Sequence, residues 1–343
     1  MPTSRPLPTQ PLFAGGPAVC RLGLGGLFTS TLGGGVRETE RLLAAAAELG
    51  VNLIDTAPAY ADSEETLGRA LRSVDGDFVI STKLGGRPQP FDPQDAPALR
   101  RSFEESRRLI GRDVTVLHVH EPDRPRQYPW WTDYRPLAGP ALDLLDELRS
   151  RGEIAAAGVA GTTVTELTAL VRSQRFEVVL TAFNSNLLFR EADVELLPAA
   201  AAAGMGVIVA SILGQGCLAR RYDDTLDAPP PWLSSQRAEQ LRGLYRLSDE
   251  SGLPLPELCL RFSVHRPQGQ CVLIGPKTAE QLTESVEAAA RGPLPADVLA
   301  EIDRLAAVLP CRPFEEPMIL PLRGDYFGPG PANVAAATPV GQE

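Results

Sequence analysis

Short apolar runs alternate with longer amphipathic ones along this 343-residue chain. Eight runs, at positions 19–24, 51–55, 78–83, 114–120, 155–159, 178–182, 207–210 and 271–274, are too short for helices and read as buried strands. Between them, apolar residues recur at helical spacing over 37–49, 64–71, 97–110, 141–151, 163–171, 192–203, 236–250 and 256–264, and over 278–289 after the last strand. Gly50, Gly152 and Gly204 sit just past helix ends, where a left-handed residue is wanted. Alternation of this kind argues for an α/β protein with a parallel sheet, and the count of eight favours a closed (β/α)8 TIM barrel. The rival is an open doubly wound sheet. It lacks its fingerprint, because the glycines of residues 21–27 do not lead into a helix.

Three regions interrupt the repeat. Residues 121–140 carry Tyr128, Trp130, Trp131 and Tyr134, and residues 214–231 run into Trp232. The tail from Cys311 is rich in Pro and Gly and holds Phe314, Tyr326 and Phe327. The first two follow strands four and seven, which puts both long loops on the C-terminal face of a barrel. Local packing would explain their aromatics; so would an apolar substrate cavity, for which Phe28, Trp130, Trp131 and Trp232 are the candidates. The expected organisation is an extension over 1–18, the barrel over 19–310 and a tail over 311–343.

Composition narrows the function. A net charge of −10 argues against nucleic acid or an anionic membrane as partner. Five scattered cysteines without CxxC spacing suggest a reducing compartment and no structural zinc. No signal-peptide core and no apolar stretch of about 20 residues is apparent, so the expectation is a cytoplasmic protein with a small-molecule substrate. The oligomeric state is left open. Among 33 basic residues only Lys83 and Lys277 are lysines, and each closely follows or ends an apolar run. A compact ammonium has tunable protonation that a guanidinium lacks, so both positions invite a functional reading.

In a barrel the strand ends of the C-terminal face build the active site. Asp55 ends strand two with Tyr60 five residues on, Lys83 ends strand three and His120 ends strand four. Taken singly, each has an ordinary explanation as a cap, a loop aromatic, a surface charge or a core histidine. Together they form an acid–base set. A buried ammonium stabilises a phenolate and lowers the tyrosine pKa, a carboxylate keeps the ammonium charged, and an imidazole orients the substrate oxygen. His118 shares strand parity with His120 and so should face the lumen as a packed residue. A His118/His120 metal pair has no third ligand in sequence, and no metal is expected.

At these residues the chain resembles the aldo-keto reductase superfamily. The resemblance is carried by residues 53–60, Leu-Ile-Asp-Thr-Ala-Pro-Ala-Tyr, with 63–71 after them, and by the blocks ending in Lys83 and beginning at His120. It extends through residues 204–211 and 214–216. Residues 86–106 are similar to the galactose dehydrogenase and threo-aldose (fucose-type) dehydrogenase branch. The resemblance implies an NAD(P)-dependent oxidoreductase, with Tyr60 as proton donor or acceptor and Asp55, Lys83 and His120 as its partners. It also implies cofactor contacts at Gly25, Gly26, Asp55, Asn184, Ser211, Leu213, Gln215, Gly275, Lys277, Thr278, Gln281 and Ser285. Residues 275–278 join the last strand to a helix whose free N–H groups would take a phosphate, and Lys277 there favours NADP over NAD.

Departures from the family pattern accompany this. Positions where the family often grips the nicotinamide carboxamide are Ala160, Gly161 and Ala182, and its stacking tyrosine position is Ala210. Thr162, Asn184 or Ser211 would have to substitute. The leading expectation is a sugar or polyhydroxy substrate. The alternatives are a biosynthetic ketone or enone reductase for a larger, less polar molecule and a catalytically silent nucleotide-binding barrel.

Overall fold

The computed structural model describes residues 7–87, 89–124, 129–313 and 316–322. Tyr128, Phe314, Tyr326 and Phe327 lie outside the described residues. Eight parallel strands close into a barrel in sequential order: β1 (Leu22–Gly25), β2 (Leu53–Asp55), β3 (Val79–Leu84), β4 (Val116–His120), β5 (Ala156–Gly161), β6 (Val178–Ala182), β7 (Gly206–Ala210) and β8 (Cys271–Ile274). Each was expected from its apolar run, with one adjustment. The run at 19–24 is divided: Ala18–Cys20 pairs antiparallel with Thr9–Pro11, and only Leu22–Gly25 joins the barrel. This hairpin closes the N-terminal end, where Leu12 and Val19 pack with the interior residues Leu53, Val116 and Cys271.

The helices in chain order are α1 (Val36–Leu49), α2 (Ser63–Ala70), α3 (Ala96–Ile110), α4 (Pro140–Ser150), α5 (Val164–Arg172), α6 (Glu191–Val194), α7 (Leu196–Ala202), α8 (Asp223–Asp227), α9 (Ser235–Ser251), α10 (Leu255–Val264), α11 (Ala279–Ala290) and α12 (Ala296–Val308). The single helix expected over 192–203 is broken at Glu195, whose φ of −132° is not helical. Helix α12 lies beyond the last expected helix. Its buried face, Val298, Ile302, Leu305 and Ala306, follows helical spacing and packs on α9. Short antiparallel strands Asp133–Tyr134 and Leu137–Ala138 fold part of the 121–140 loop back on itself.

Strand alternation sorts the side chains into two shells. Outward residues such as Ile54, Ile80, Leu117, Val159 and Val272 meet the helices in the main core. Inward residues fill the lumen in layers. Val79 and Val116 lie low, with Ser81 and His118 above them and Lys83 and His120 at the top, each two residues further along its strand. A second core lies among α8, α9, α10 and α12 and the loop from Cys217 to Leu233. There the fully buried Arg237 pairs with Glu316 at 2.7 Å and fastens the start of the tail.

Candidate active site

Residues at the ends of β2, β3 and β4 converge because parallel strands in register end together. Asp55 pairs with Ser81, Lys83 with His118, and His120 with Ala160. Lys83 is 1% exposed, and its Nζ donates to Asp55 Oδ2 at 2.6 Å and to the Thr56 carbonyl at 2.8 Å. Ser81 Oγ donates to the other Asp55 oxygen at 2.8 Å. The Lys83 ammonium lies 4.7 Å from the centre of the Tyr60 ring, and the Tyr60 and His120 rings meet edge to face at 5.7 Å. Four groups scattered over about 65 positions of sequence thus share one space at the C-terminal mouth of the lumen.

Electrostatics sort their roles. Burial pushes the Tyr60 hydroxyl up from its ordinary value of 10.0, and Lys83 only partly pulls it back. This corrects the sequence expectation of a net lowering: the ammonium acts in the expected direction, but removal from water outweighs it. For Lys83, burial works against the charge, and Asp55 with Tyr60 more than reverses that, so the ammonium is held protonated. His120 is driven well below 6.5 by burial and by Lys83, which leaves a neutral imidazole at pH 7. His118 is pushed down to about 4, chiefly by burial, and among the described residues neither ring nitrogen makes a well-formed hydrogen bond. Its ring is accommodated because residue 158 is glycine: a Cβ there would lie 2.3 Å from His118 Nδ1.

Several supporting residues escaped the sequence reading. Thr82 faces outward on β3 and donates to Glu64 at 2.6 Å, and Arg87 pairs with the same buried carboxylate. This ties the loop after Lys83 to helix α2, which follows Tyr60. Strand parity would have placed Thr82 outside the lumen, but nothing in sequence named its partner. Asp123 accepts from the Thr162 and Thr163 amides at 2.7 and 2.6 Å, fixing the turn into α5. Glu121, next to His120, is held by an ion pair with Arg124, which in turn donates to Thr162 after β5.

The expected substrate aromatics are placed differently. Trp130 and Trp131 are 0% and 6% exposed and belong to the main core. Trp130 packs on Phe91 behind Gly85 and His120, and Trp131 packs on Phe176. Trp232 packs against the second core. Phe28 lies at the corner of Gly275, beneath the Lys277 ammonium at 4.8 Å. These long loops therefore fold onto apolar surface of their own, which is the packing explanation of their aromatics.

The residues expected at the cofactor form a strip from β1 across β8 and β7. Thr278 caps α11, accepting from the Gln281 amide, while Gln281 accepts from the Lys277 amide at 2.8 Å. Lys277 and Gly275 are exposed at that helix start. Ser285 is turned into its own helix, donating to the Gln281 carbonyl. Gly26 admits no side chain, since a Cβ would meet the Asp55 carbonyl at 2.7 Å. At β7, Ser211 and Gln215 adopt left-handed backbone, at φ 59° and 53°, beside Leu213. Of the three residues expected to substitute in the carboxamide grip, Asn184 spends its amide nitrogen on Thr162 and Thr181, and Thr162 is bound to Asp123 and Arg124. Ser211 makes no side-chain hydrogen bond among the described residues, so its hydroxyl is available. With the Lys277 and Gln281 amides spent on the cap, the remaining amides of the first turn of α11 and this hydroxyl are of the kind that suits the phosphate and amide groups of a nicotinamide dinucleotide.

Comparison with known proteins agrees with this geometry. The model of the Aldo/keto reductase family matches residues 21–307. A D-threo-aldose 1-dehydrogenase of a Pseudomonas species is 28% identical, covering 84% of this chain and 94% of that protein. The L-galactose dehydrogenase of Arabidopsis thaliana is 26% identical, covering 70% of this chain and 74% of that protein. A solved structure described as an aldo-keto reductase of Pseudomonas aeruginosa superposes with a TM-score of 0.58 at 27% identity, covering 82% and 94% of the two chains.

Proposed function

The chain belongs to the aldo/keto reductase family, and from that premise we propose that it is an NAD(P)-dependent oxidoreductase that interconverts an alcohol and a carbonyl on a sugar or other polyhydroxy substrate. The observation that carries this reading is the buried Asp55–Lys83 pair under Tyr60, with a neutral His120 against the same ring.

In this reading Ser211 and the start of α11 would hold a nicotinamide dinucleotide, which would supply the hydride chemistry. Every proton step belongs to the chain's own residues. In the reductive direction the Tyr60 hydroxyl gives its proton to the carbonyl oxygen; in the oxidative direction Tyr60 first loses that proton to solvent, and the phenolate then takes the proton of the substrate hydroxyl. Lys83 lowers the cost of the phenolate at that moment, and Asp55 keeps the ammonium charged and aimed. His120, held uncharged, donates a hydrogen bond to the reacting oxygen and fixes its approach without competing for the proton. The lumen beneath is filled by His118 and apolar side chains, which keeps bulk water from the ammonium.

The relatives named as aldose and galactose dehydrogenases support a sugar-like substrate, and Lys277 supports NADP. A larger, less polar substrate has less support, because its aromatic walls, Trp130 and Trp131, are buried in the core. Fluorescence titration with NADPH and NADH, followed by turnover of an aldose and carbonyl panel, tests the reading. Absence of nucleotide binding rejects it.

A further inference from the structure

Glu121 stands one residue past His120 in a left-handed conformation, at φ 52°, with its amide donating to the Ala160 carbonyl at 2.7 Å. Such backbone is costly for a residue other than glycine, and it persists where surrounding contacts impose it, often at functional sites. It directly follows His120, whose ring meets Tyr60 edge to face, and its side chain is 14% exposed. The contact that holds it is Arg124 Nη1, 3.2 Å from both carboxylate oxygens, which leaves further acceptor capacity on each. Arg124 is itself 10% exposed; its Nη2 donates to Thr162 Oγ1, and its buried Nε has no partner among the described residues. Asp123 Oδ1, on the same turn, is buried and also without a partner among the described residues.

One turn beside the acid–base set thus holds charged groups with unspent donors and acceptors, withdrawn from water. Buried polar atoms are normally paired, so unspent capacity next to a reactive centre points to pairing by a ligand. A polyol offers both functions through each hydroxyl. An anionic substrate would instead meet the Glu121 carboxylate at short range.

The geometry points to Glu121, braced by Arg124, as the residue that accepts hydrogen bonds from the hydroxyls of a neutral polyhydroxy substrate and thereby sets specificity. This rests on the proposed polyhydroxy substrate and names the group that recognises it. A purely structural role for the Glu121–Arg124 pair would instead affect every substrate alike.

The test compares wild type, E121Q and E121A on three probes: L-fucose or L-galactose, whichever wild type oxidises faster, the 2-deoxy form of that sugar, and benzaldehyde reduction as a hydroxyl-free control. A hydrogen bond to a charged group is worth roughly 10- to 100-fold in kcat/KM. E121A is expected to lose at least about tenfold more on the sugar than on benzaldehyde, with a smaller loss on the deoxy sugar and E121Q in between. Equal losses on all three probes, or no loss on the sugar, overturn the assignment while leaving the polyhydroxy reading intact. Wild-type turnover of benzaldehyde without any sugar oxidation overturns both.

Discussion

Replacing Lys83 by methionine keeps the stem of the side chain and removes its charge, which separates what the ammonium does for stability from what it does for catalysis. In the wild type Nζ contacts Asp55 Oδ2 at 2.6 Å and the Thr56 carbonyl at 2.8 Å, with the two side chains 1% and 3% exposed. K83M leaves the Asp55 carboxylate with only Ser81 Oγ and the Thr56 carbonyl without its Lys83 donor. Removing one partner of such a pair costs about 3–5 kcal/mol, because the remaining charge stays buried. Adding D55N replaces that charge with a neutral amide, and the double variant should regain about half of the loss or more. Urea unfolding of wild type, K83M, D55N and the double variant yields the coupling directly. Turnover should follow a different pattern. K83M and the double variant should remain about 100-fold or more below wild type, since a thioether does not replace the ammonium beneath Tyr60, and D55N should also lose turnover because its ammonium is left without the carboxylate that keeps it charged and aimed. K83M within about 1 kcal/mol of wild type would refute the buried charged pair, and a double variant that recovers turnover would refute the role given to Lys83.

Other outcomes follow from the same geometry. In the free protein Tyr60 should stay protonated at its ordinary value of 10.0, because burial raises it; a tyrosinate absorbance in wild type minus Y60F that titrates below that point would contradict this. Y60F itself should lower turnover about 10²–10⁴-fold without changing the unfolding free energy by more than about 1 kcal/mol. His118 is held at about 4 against an ordinary 6.5, so the unfolded chain takes up its proton first as pH falls. Its stabilising contribution is therefore present above about 6.5 and lost toward 4, about 2 kcal/mol of it by pH 5. H118L should lack that share of the acid sensitivity, and parallel pH profiles of wild type and variant would reject the account. Gly158→Ala places a methyl group 2.3 Å from His118 Nδ1 and should cost about 1–3 kcal/mol. That cost should shrink in an H118A background; an equal cost there would move the cause elsewhere.

Much of this protein was determined locally and was therefore legible in the sequence. Each barrel strand is a continuous apolar run because parallel strands are covered on both faces, and eight such runs sufficed to indicate closure. Period-two alternation already aligned His118 with His120, and strand ends supplied Asp55, Lys83 and His120. Tertiary structure decided whatever depends on distance between remote positions. It buried Trp130 and Trp131 in the core, since an aromatic in a long loop packs on the largest apolar surface within reach, and local sequence does not specify that surface. The sign of the Tyr60 shift was settled the same way: the sequence named the nearby ammonium, but only folding fixed how completely the hydroxyl leaves water. The partners Glu64–Arg87, Asp123–Thr162 and Glu121–Arg124 were equally out of reach. Ion pairs and capping contacts depend on the orientation of whole side chains, which is set when loops from neighbouring strands meet over the mouth of the barrel.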